Sequence, residues 1–253
     1  MQNRPLTILT GASRGMGLAM AEQLLQQGHQ LITIARQRNA ALDDLAARLG
    51  VPLQQWQHDL AAPAQAAAAL RDWLQAQDAT QFASATLINN AGVIPPIAPL
   101  SHSDWSAVSN GLRVGLEAPM LLTSAFLQAT EHWTQPRKVL NISSGLGRRA
   151  IASQATYCAA KAGMDIFSAS VALDEAAKPH GARICSLAPG VIDTDMQVQL
   201  RTSAATDFPD VERFAQLHAS GSLTSPQDAA ARNLAWLERA DFGQQVVADV
   251  RQP

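Results

Sequence analysis

A glycine-containing turn near the N-terminus constrains the fold of this chain more than any other segment. An apolar strand is predicted at residues 6–10 and a helix at 18–27, and the turn Gly11-Ala12-Ser13-Arg14-Gly15-Met16-Gly17 joins them. Glycines permit a tight turn and let backbone N–H groups approach a pyrophosphate, which then rests on the positive end of the helix. An ordinary strand-to-helix loop is the alternative, but strand, turn and helix follow in the order that dinucleotide binding requires. The predicted cofactor contacts in this turn are Gly11, Ser13, Arg14, Gly15, Met16 and Gly17.

Strands and helices alternate along the rest of the chain, which is typical of a parallel sheet with helices on both faces. Further strands are predicted at 30–35, 53–58, 85–89, 138–142, 182–187 and 244–249. Helical segments are predicted at 40–49, 63–77, 103–130, 154–178 and 226–239. With 253 residues, of which 47% are hydrophobic, the chain suits one well-buried domain over residues 1–253 and is short for two. The predicted fold class is therefore α/β.

The end of the second strand indicates which dinucleotide fits. An acidic residue there binds the 2′-hydroxyl of NAD, whereas this chain has Ala35 and Arg36, with Arg38 close by and Arg14 in the glycine turn. Arginines suit a 2′-phosphate, although a solvated basic edge is the alternative. The predicted cofactor is NADP(H), with Arg36 as a contact.

The ends of later strands supply further candidate contacts. Asp59 is either an adenine contact beside Leu60 or the N-cap of the helix that starts at Pro63. Asparagines in the turn at 89–92 either tie neighbouring strand ends together or make a turn. Thr194 is placed to contact the nicotinamide carboxamide. The predicted contacts at these strand ends are Asp59, Leu60, Asn89, Ala91, Gly92, Pro189, Gly190, Ile192 and Thr194.

The stretch at 141–161 gathers three groups that together can move a proton. Tyr157 and Lys161 are four residues apart and share one face of the predicted helix. The ammonium favours the phenolate, so we expect Lys161 to lower the pKa of Tyr157. Ser144 follows an apolar run, so its hydroxyl is expected at the mouth of a strand, where it can bind a substrate oxygen. A surface Tyr–Lys pair is the alternative, but this is the single Tyr of the chain.

The composition of the chain limits the kinds of partner that we expect it to bind. The net charge is −2 and no basic run is present, so nucleic acid is not expected. No apolar run reaches the roughly 18 residues of a membrane span. The two cysteines lack the spacing of a metal site, so we expect no bound metal and a location in the reducing cytoplasm.

The segment at 195–225 lacks a clear period and is interpreted as a mobile substrate lid. Its apolar residues suit a compact, mostly apolar ketone, although they can equally pack the lid on the core. They are Met196, Val198, Leu200, Phe208, Val211, Phe214 and Leu217.

Five motifs of this chain resemble, in their order and spacing, those of the short-chain dehydrogenase/reductase family. They are Thr10 to Gly17, Asn89-Asn90-Ala91-Gly92, Ser144, Tyr157-x-x-x-Lys161 and Pro189-Gly190 through Thr194. The resemblance spans essentially the whole chain. It implies a seven-stranded Rossmann-type sheet, a nicotinamide cofactor and a homodimer or homotetramer. It also implies Tyr157 as the acid/base, Lys161 holding the ribose, Ser144 holding the substrate oxygen and Asn89 in the cofactor-side framework.

One position departs from that family. Gly115 stands where the family usually has an Asn whose carbonyl and local helix kink hold a water of the proton relay. Gly can still offer the carbonyl and loosen the helix. The segments at 193–197 and 221–226 and Gly243 resemble the branch that contains sepiapterin reductase and bacterial benzil reductases.

The leading functional hypothesis is an NADPH-dependent reductase of a small-molecule ketone, possibly a vicinal diketone. A 3-oxoacyl thioester reductase or an alcohol dehydrogenase is the alternative within the same family. Because a fold alone does not establish activity, a catalytically weak NADPH-sensing regulator is the alternative of another class.

Overall fold

A computed structural model describes residues 3–252, and seven strands within them form one parallel sheet in the order β3-β2-β1-β4-β5-β6-β7. The strands are β1 (Arg4–Thr10), β2 (Gln30–Ala35), β3 (Leu53–Gln57), β4 (Phe82–Asn89), β5 (Arg137–Ile142), β6 (Arg183–Ala188) and β7 (Val247–Asp249). The predicted Rossmann-type sheet is confirmed. Strand order reverses between β1 and β4, and in such sheets ligands bind in the crevice outside the carboxyl ends at that point.

Helices cover both faces of the sheet, as the alternating sequence pattern predicts. They are α1 (Gly15–Gln26), α2 (Ala40–Leu49), α3 (Pro63–Gln75), α4 (Trp105–Leu112), α5 (Ala118–Ala129), α6 (Ala155–Ala176), α7 (Asp195–Arg201), α8 (Val211–Ala219) and α9 (Pro226–Leu237). One buried apolar cluster joins the sheet to α1 and α9 through Met20, Leu24 and Leu234. A second joins the other face to α3 and α5 through Leu70 and Phe126.

The segment at 195–225 is more regular than its sequence indicates. It contains α7 and α8, whose Leu200 and Phe214 are buried together with Phe208. Ile94, Ile97 and Ile151, from the loops after β4 and before α6, pack against this cluster. The sequence predicted neither helix, because helices of seven and nine residues are too short to establish a hydrophobic period.

Candidate active site

The turn between β1 and α1 has the shape of an anion cradle. Gly11 has a φ of +73°, and a Cβ there would lie 2.8 Å from the Cα of Ala91. A Cβ on Gly17 would overlap the carbonyl oxygen of Gly11. The N-cap of α1, Arg14, supplies no side-chain cap, and no acidic residue lies in the first turn. The backbone N–H groups at this helix end therefore suit the pyrophosphate of a dinucleotide.

Asn90, rather than Asn89, fixes the end of β4 against this cradle. Thr10 Oγ1 accepts hydrogen bonds from the backbone N of Asn90 at 3.0 Å and of Ala91 at 2.9 Å. Asn90 Nδ2 donates back to the carbonyl oxygen of Thr10 at 3.0 Å. Asn89 is buried behind these groups, where its Nδ2 donates to Asn141 Oδ1 at 2.8 Å. The expectation that asparagines here tie neighbouring strand ends together is met by both residues, although the sequence singled out Asn89 and not Asn90 or Thr10 for the cofactor side.

The three arginines near the expected adenosine end differ in their partners. Arg14 Nη1 lies 2.8 Å from Asp195 Oδ2, at the start of α7. Arg38 pairs with Asp43 at 3.1 Å. Arg36 is exposed at the end of β2 and forms no ion pair with any residue in the range 3–252. Exposed ion pairs contribute about 0–1 kcal/mol, so Arg14 can exchange Asp195 for a phosphate at little cost.

A further asparagine that the sequence did not single out joins the second strand end to the glycine turn. Asn39 Oδ1 caps α2 by accepting a hydrogen bond from the backbone N of Ala41 at 3.0 Å. Its Nδ2 donates to the carbonyl oxygen of Ser13 at 3.3 Å. Ser13 therefore has its carbonyl oriented by the strand end that carries Arg36.

The remaining predicted cofactor contacts lie along the same edge of the sheet. The carboxylate of Asp59 accepts from the backbone N of Ala61 at 3.0 Å, and Ala62, not Asp59, is the N-cap of α3. The N-cap alternative for Asp59 was therefore wrong, because its side chain closes a local turn before the helix. Leu60 is buried in the apolar core, and Met16 is likewise buried against the core.

The segment after β6 crosses the open end of the cradle. Pro189, Gly190 and Ile192 are half-buried, and Ile192 pairs with Thr224. Thr194 is the N-cap residue of α7, and its Cγ2 would lie 3.7 Å from a Cβ on Gly15. The structure thus brings Thr194 next to the glycine turn.

Ser144, Tyr157 and Lys161 converge where β5 ends and α6 begins. Ser144 Oγ accepts a hydrogen bond from the backbone N of Leu146 at 3.1 Å, which orients its side chain at the start of a 3₁₀ turn (Gly145–Gly147). Tyr157 and Lys161 are buried on α6, with Lys161 Nζ 5.8 Å from the centre of the Tyr157 ring. Lys161 Nζ donates to the carbonyl oxygen of Ile142 at 2.7 Å. A Cβ on Gly92 would lie 4.0 Å from the same ammonium, so the end of β4 reaches this cluster.

Burial controls the protonation of both groups. It raises the pKa of Tyr157 above its ordinary value near 10, while a hydrogen bond with Ser144 acts in the opposite direction. It lowers the pKa of Lys161 to about 8, while the carboxylate of Asp165 opposes that change. The expected lowering of the pKa of Tyr157 was wrong in direction, because the cost of a buried phenolate outweighs the hydrogen bond with Ser144. A phenol that keeps its proton is suited to donate it.

Gly115 lies inside a π-helical turn (Arg113–Glu117) between α4 and α5. Such turns interrupt an α-helix and are frequent at functional sites. A Cβ on Gly115 would lie 3.1 Å from the Cβ of Ala160 on α6, a tight contact that glycine avoids. The helix is thus locally widened at Gly115 without the asparagine side chain.

This sheet, with a phosphate cradle at its strand reversal and a Ser, Tyr and Lys beside it, defines a dinucleotide-dependent oxidoreductase. The sequence model of the short chain dehydrogenases matches residues 6–205. The chain belongs to the short-chain dehydrogenase/reductase family, whose members bind NAD(P).

Individual relatives agree with this assignment. The chain is 36% identical to a benzil reductase ((S)-benzoin forming) of Bacillus cereus, over 94% of this chain and 95% of that protein. It is 32% identical to the sepiapterin reductase of Xenopus tropicalis, over 92% of this chain and 91% of that protein. A solved short-chain dehydrogenase/reductase of Burkholderia vietnamiensis is 32% identical, with a TM-score of 0.65 over 100% of this chain and 99% of that one. The predicted resemblance to the benzil and sepiapterin reductase branch is confirmed.

Two further properties of residues 3–252 concern partners. No helix in this range is long and apolar enough to cross a membrane. Within the same range, His, Cys, Asp and Glu side chains form no group of three or more that could hold a metal ion.

Proposed function

We propose that this protein is an NADPH-dependent carbonyl reductase that converts a vicinal diketone to a hydroxy ketone. The observation that carries the proposal is the meeting of Ser144, Tyr157 and Lys161 beside the cradle, in a chain 36% identical to a benzil reductase. Reduction of one carbonyl of a diketone needs a hydride donor, a proton donor and a site that holds the oxygen. The cradle and these three side chains supply places for all of them.

The side chains have complementary parts in the proposed reaction. The chemistry that NADPH would supply when bound is a hydride for the carbonyl carbon. The hydroxyl of Ser144 already accepts a hydrogen bond from Leu146, which leaves its own proton to bind the carbonyl oxygen. Tyr157 would donate its proton to that oxygen, and the ammonium of Lys161 would stabilise the resulting phenolate and hold the cofactor ribose. The uncharged product then leaves, and Tyr157 recovers its proton from water.

The preference for NADPH over NADH is supported by charge at the end of β2. No acidic side chain follows that strand to bind a 2′-hydroxyl, and Arg36 extends from it into solvent. Arg14 is the second candidate for the 2′-phosphate and would give up Asp195 to reach it. The fit of the cradle to a pyrophosphate supports the wider set of contacts at Gly11, Ser13, Gly15 and Gly17.

The lid favours a compact apolar substrate, but only some of its side chains are available. Leu200, Phe208 and Phe214 are buried among themselves and the neighbouring isoleucines, so they pack the lid. Met196 is half-buried and Val198 is exposed on α7, so these two remain as candidate contacts. A long anionic carrier would find basic lid residues only at Arg201 and Arg213, and Arg201 already pairs with Asp193 at 3.0 Å.

We further propose a homodimer or homotetramer in the cytoplasm. The two cysteines, Cys158 and Cys185, are both free thiols, as a reducing compartment favours. The surface of α5 and α6 carries exposed apolar side chains that suit a second copy of the chain.

The test of the proposed reaction is NADPH consumption with three substrates: an aromatic 1,2-diketone, the matching monoketone and an acetoacetyl thioester. We expect the diketone to have the largest kcat/KM. Tyr157→Phe should lose about 10²-fold or more of kcat and keep its affinity for NADPH, because the hydroxyl serves proton transfer. A tenfold preference for the thioester would instead identify a 3-oxoacyl reductase. Tight NADPH binding without turnover of any carbonyl would identify a sensor.

A further inference from the structure

A buried carboxylate lies one helical turn beyond Lys161 and has no part in the reaction proposed above. Asp165, on α6, is 7% exposed. Its Oδ1 accepts a hydrogen bond from Ser186 Oγ on β6 at 2.6 Å, and its Oδ2 accepts one from Arg148 Nε at 2.9 Å. Burying a carboxylate is costly unless it is paired and hydrogen-bonded, so this arrangement is specific.

The partner Arg148 connects Asp165 to the serine of the active site. Arg148 ends the 3₁₀ turn that begins at Ser144. That turn lies closely against α6, since a Cβ on Gly147 would be 2.9 Å from the carbonyl carbon and oxygen of Lys161. The ion pair of Arg148 with Asp165 therefore closes a loop that joins the Ser144 turn to the helix of Tyr157 and Lys161.

The charges around Asp165 come from several elements. Lys161 lies on the same helix, and the carboxylate of Asp165 raises its pKa against the effect of burial. Arg148 lies on the other side of the carboxylate. On the adjacent strand β6, burial raises the pKa of the Cys185 thiol to about 11, so that thiol is neutral. Beyond Arg148, the carboxylate of Asp249 on β7 is matched by Arg251 at 2.6 Å. Asp165 is thus the carboxylate shared by two cations, one of which belongs to the active site.

We propose that Asp165 is a positioning residue for the reduction: it holds Arg148, and with it the Ser144 turn, against α6, and it places a carboxylate one helical turn from the ammonium of Lys161. The inference rests on the proposed function, because it gives Asp165 a part in that reaction. Its electrostatic component concerns Lys161 alone and is measurable without turnover.

The titration of Lys161 can be measured directly, because the chain has three lysines, Lys138, Lys161 and Lys178, that peptide mapping can distinguish. Competitive acetylation with acetic anhydride over a pH series, read by peptide mass, gives a titration midpoint for each. In Asp165→Asn we expect the Lys161 midpoint to fall by about one pH unit, because the nearby opposite charge is lost. In Arg148→Gln we expect it to rise, because the carboxylate is then shared with no other cation. Asp165→Glu keeps the charge and should stay near the wild-type midpoint.

Controls separate this effect from loosened packing. Asp44→Asn removes an exposed carboxylate on α2 and should move none of the midpoints. If the substitutions only loosened the packing, water would reach Lys161, and its titration midpoint would rise in both Asp165→Asn and Arg148→Gln. Should Asp165→Asn fail to fold, the double variant Asp165→Asn/Arg148→Gln removes both charges of the ion pair, so neither is left without its partner. Its Lys161 midpoint should still fall, because the carboxylate one helical turn from Lys161 is lost in this variant too.

The Lys161 midpoint and the pH profile of turnover each test one part of the proposal. An unchanged or raised Lys161 midpoint on loss of Asp165, in the single or the double variant, overturns the proposal. In the active enzyme, the alkaline limb of kcat/KM for the diketone should move to lower pH by the same amount as the midpoint. A limb that stays in place would overturn the role in the reaction. A wild-type protein without carbonyl turnover would reject the proposed function, while the acetylation still decides whether Asp165 controls Lys161.

Discussion

At Tyr157, burial and a hydroxyl neighbour act in opposite directions on one proton. Burial is the larger effect, so the pKa lies above its ordinary value near 10. A raised pKa keeps the phenol protonated at neutral pH, where reduction needs a proton donor. Burial also lowers the pKa of Lys161 to about 8, so the pKa values of the two side chains are pushed apart and the ammonium loses its proton before the phenol does.

The single tyrosine makes its titration observable without labelling. In the native protein we expect the ultraviolet absorbance of phenolate to appear at higher pH than in the unfolded protein, because burial disfavours the charged form. Tyr157→Phe provides the blank at each pH. Phenolate that forms at or below the pH of the unfolded chain would contradict the raised pKa.

Arg36 determines cofactor preference in this proposal. A charge-assisted contact is worth about 1.5–3 kcal/mol, which corresponds to a preference of about ten- to hundredfold for NADPH. Replacing Arg36 by Asp should erase or reverse that preference in kcat/KM. Arg38→Gln is the matched control, because Arg38 already pairs with Asp43 and should leave the preference within about threefold. Equal kcat/KM for NADPH and NADH in the wild type would reject the assignment.

At the scale of elements, the 3₁₀ turn after Ser144 offers a matched pair of glycines. A Cβ on Gly147 would lie 2.9 Å from backbone atoms of Lys161, whereas one on Gly145 meets only the Arg251 side chain at 4.0 Å. Gly147→Ala should lower the free energy of unfolding by about 1–3 kcal/mol and reduce kcat, because the turn must move off α6. Gly145→Ala should change stability by less than about 0.5 kcal/mol. Denaturant unfolding and kcat measure both, and equal effects of the two changes would contradict this account.

The sequence predicted the order and type of the long elements because each carries a strong local pattern. The bounds of β2 and α2 agree with the predicted ones, and β7 is shorter than expected. The two lid helices were missed, since a helix of two turns shows little periodicity. A loosened helix at Gly115 was expected from the glycine, but its close approach to Ala160 on a different helix was not, because that contact is set by the packing of α6.

In the candidate site too, the sequence predicted the residues that a local pattern marks and did not predict the contacts between distant segments. Tyr157 and Lys161 are visible because their spacing fits one face of a helix. By contrast, the ion pair of Arg14 with Asp195 joins residues 181 positions apart, and the hydrogen bond of Ser186 to Asp165 joins two different elements. Such contacts are set by the sheet order, which places distant segments together.

For the whole molecule, the surface of α5 and α6 is the one that we assign to self-association. A groove of about 410 Å³ runs between the two helices, lined by Met120, Leu127, Phe167, Val171 and other side chains. Ile166 and Leu173 on α6 are 71% and 77% exposed. Among the small residues of α6, Ala160 lies against Gly115 and Gly163 against Leu116, so both pack within the chain and are not available to a second copy. The proposed self-association therefore rests on the exposed apolar side chains of α5 and α6.

Replacing Ile166 and Leu173 together by Glu should therefore shift the protein to monomers, because carboxylates would have to be buried at the contact between copies. Mass from light scattering at working concentration measures the change. Leu49→Glu is the control, since Leu49 is an apolar side chain, 43% exposed, on α2. It should leave the mass unchanged. A wild-type protein that is already monomeric would reject the oligomer, and a double variant that keeps the wild-type mass would place the contact on another surface.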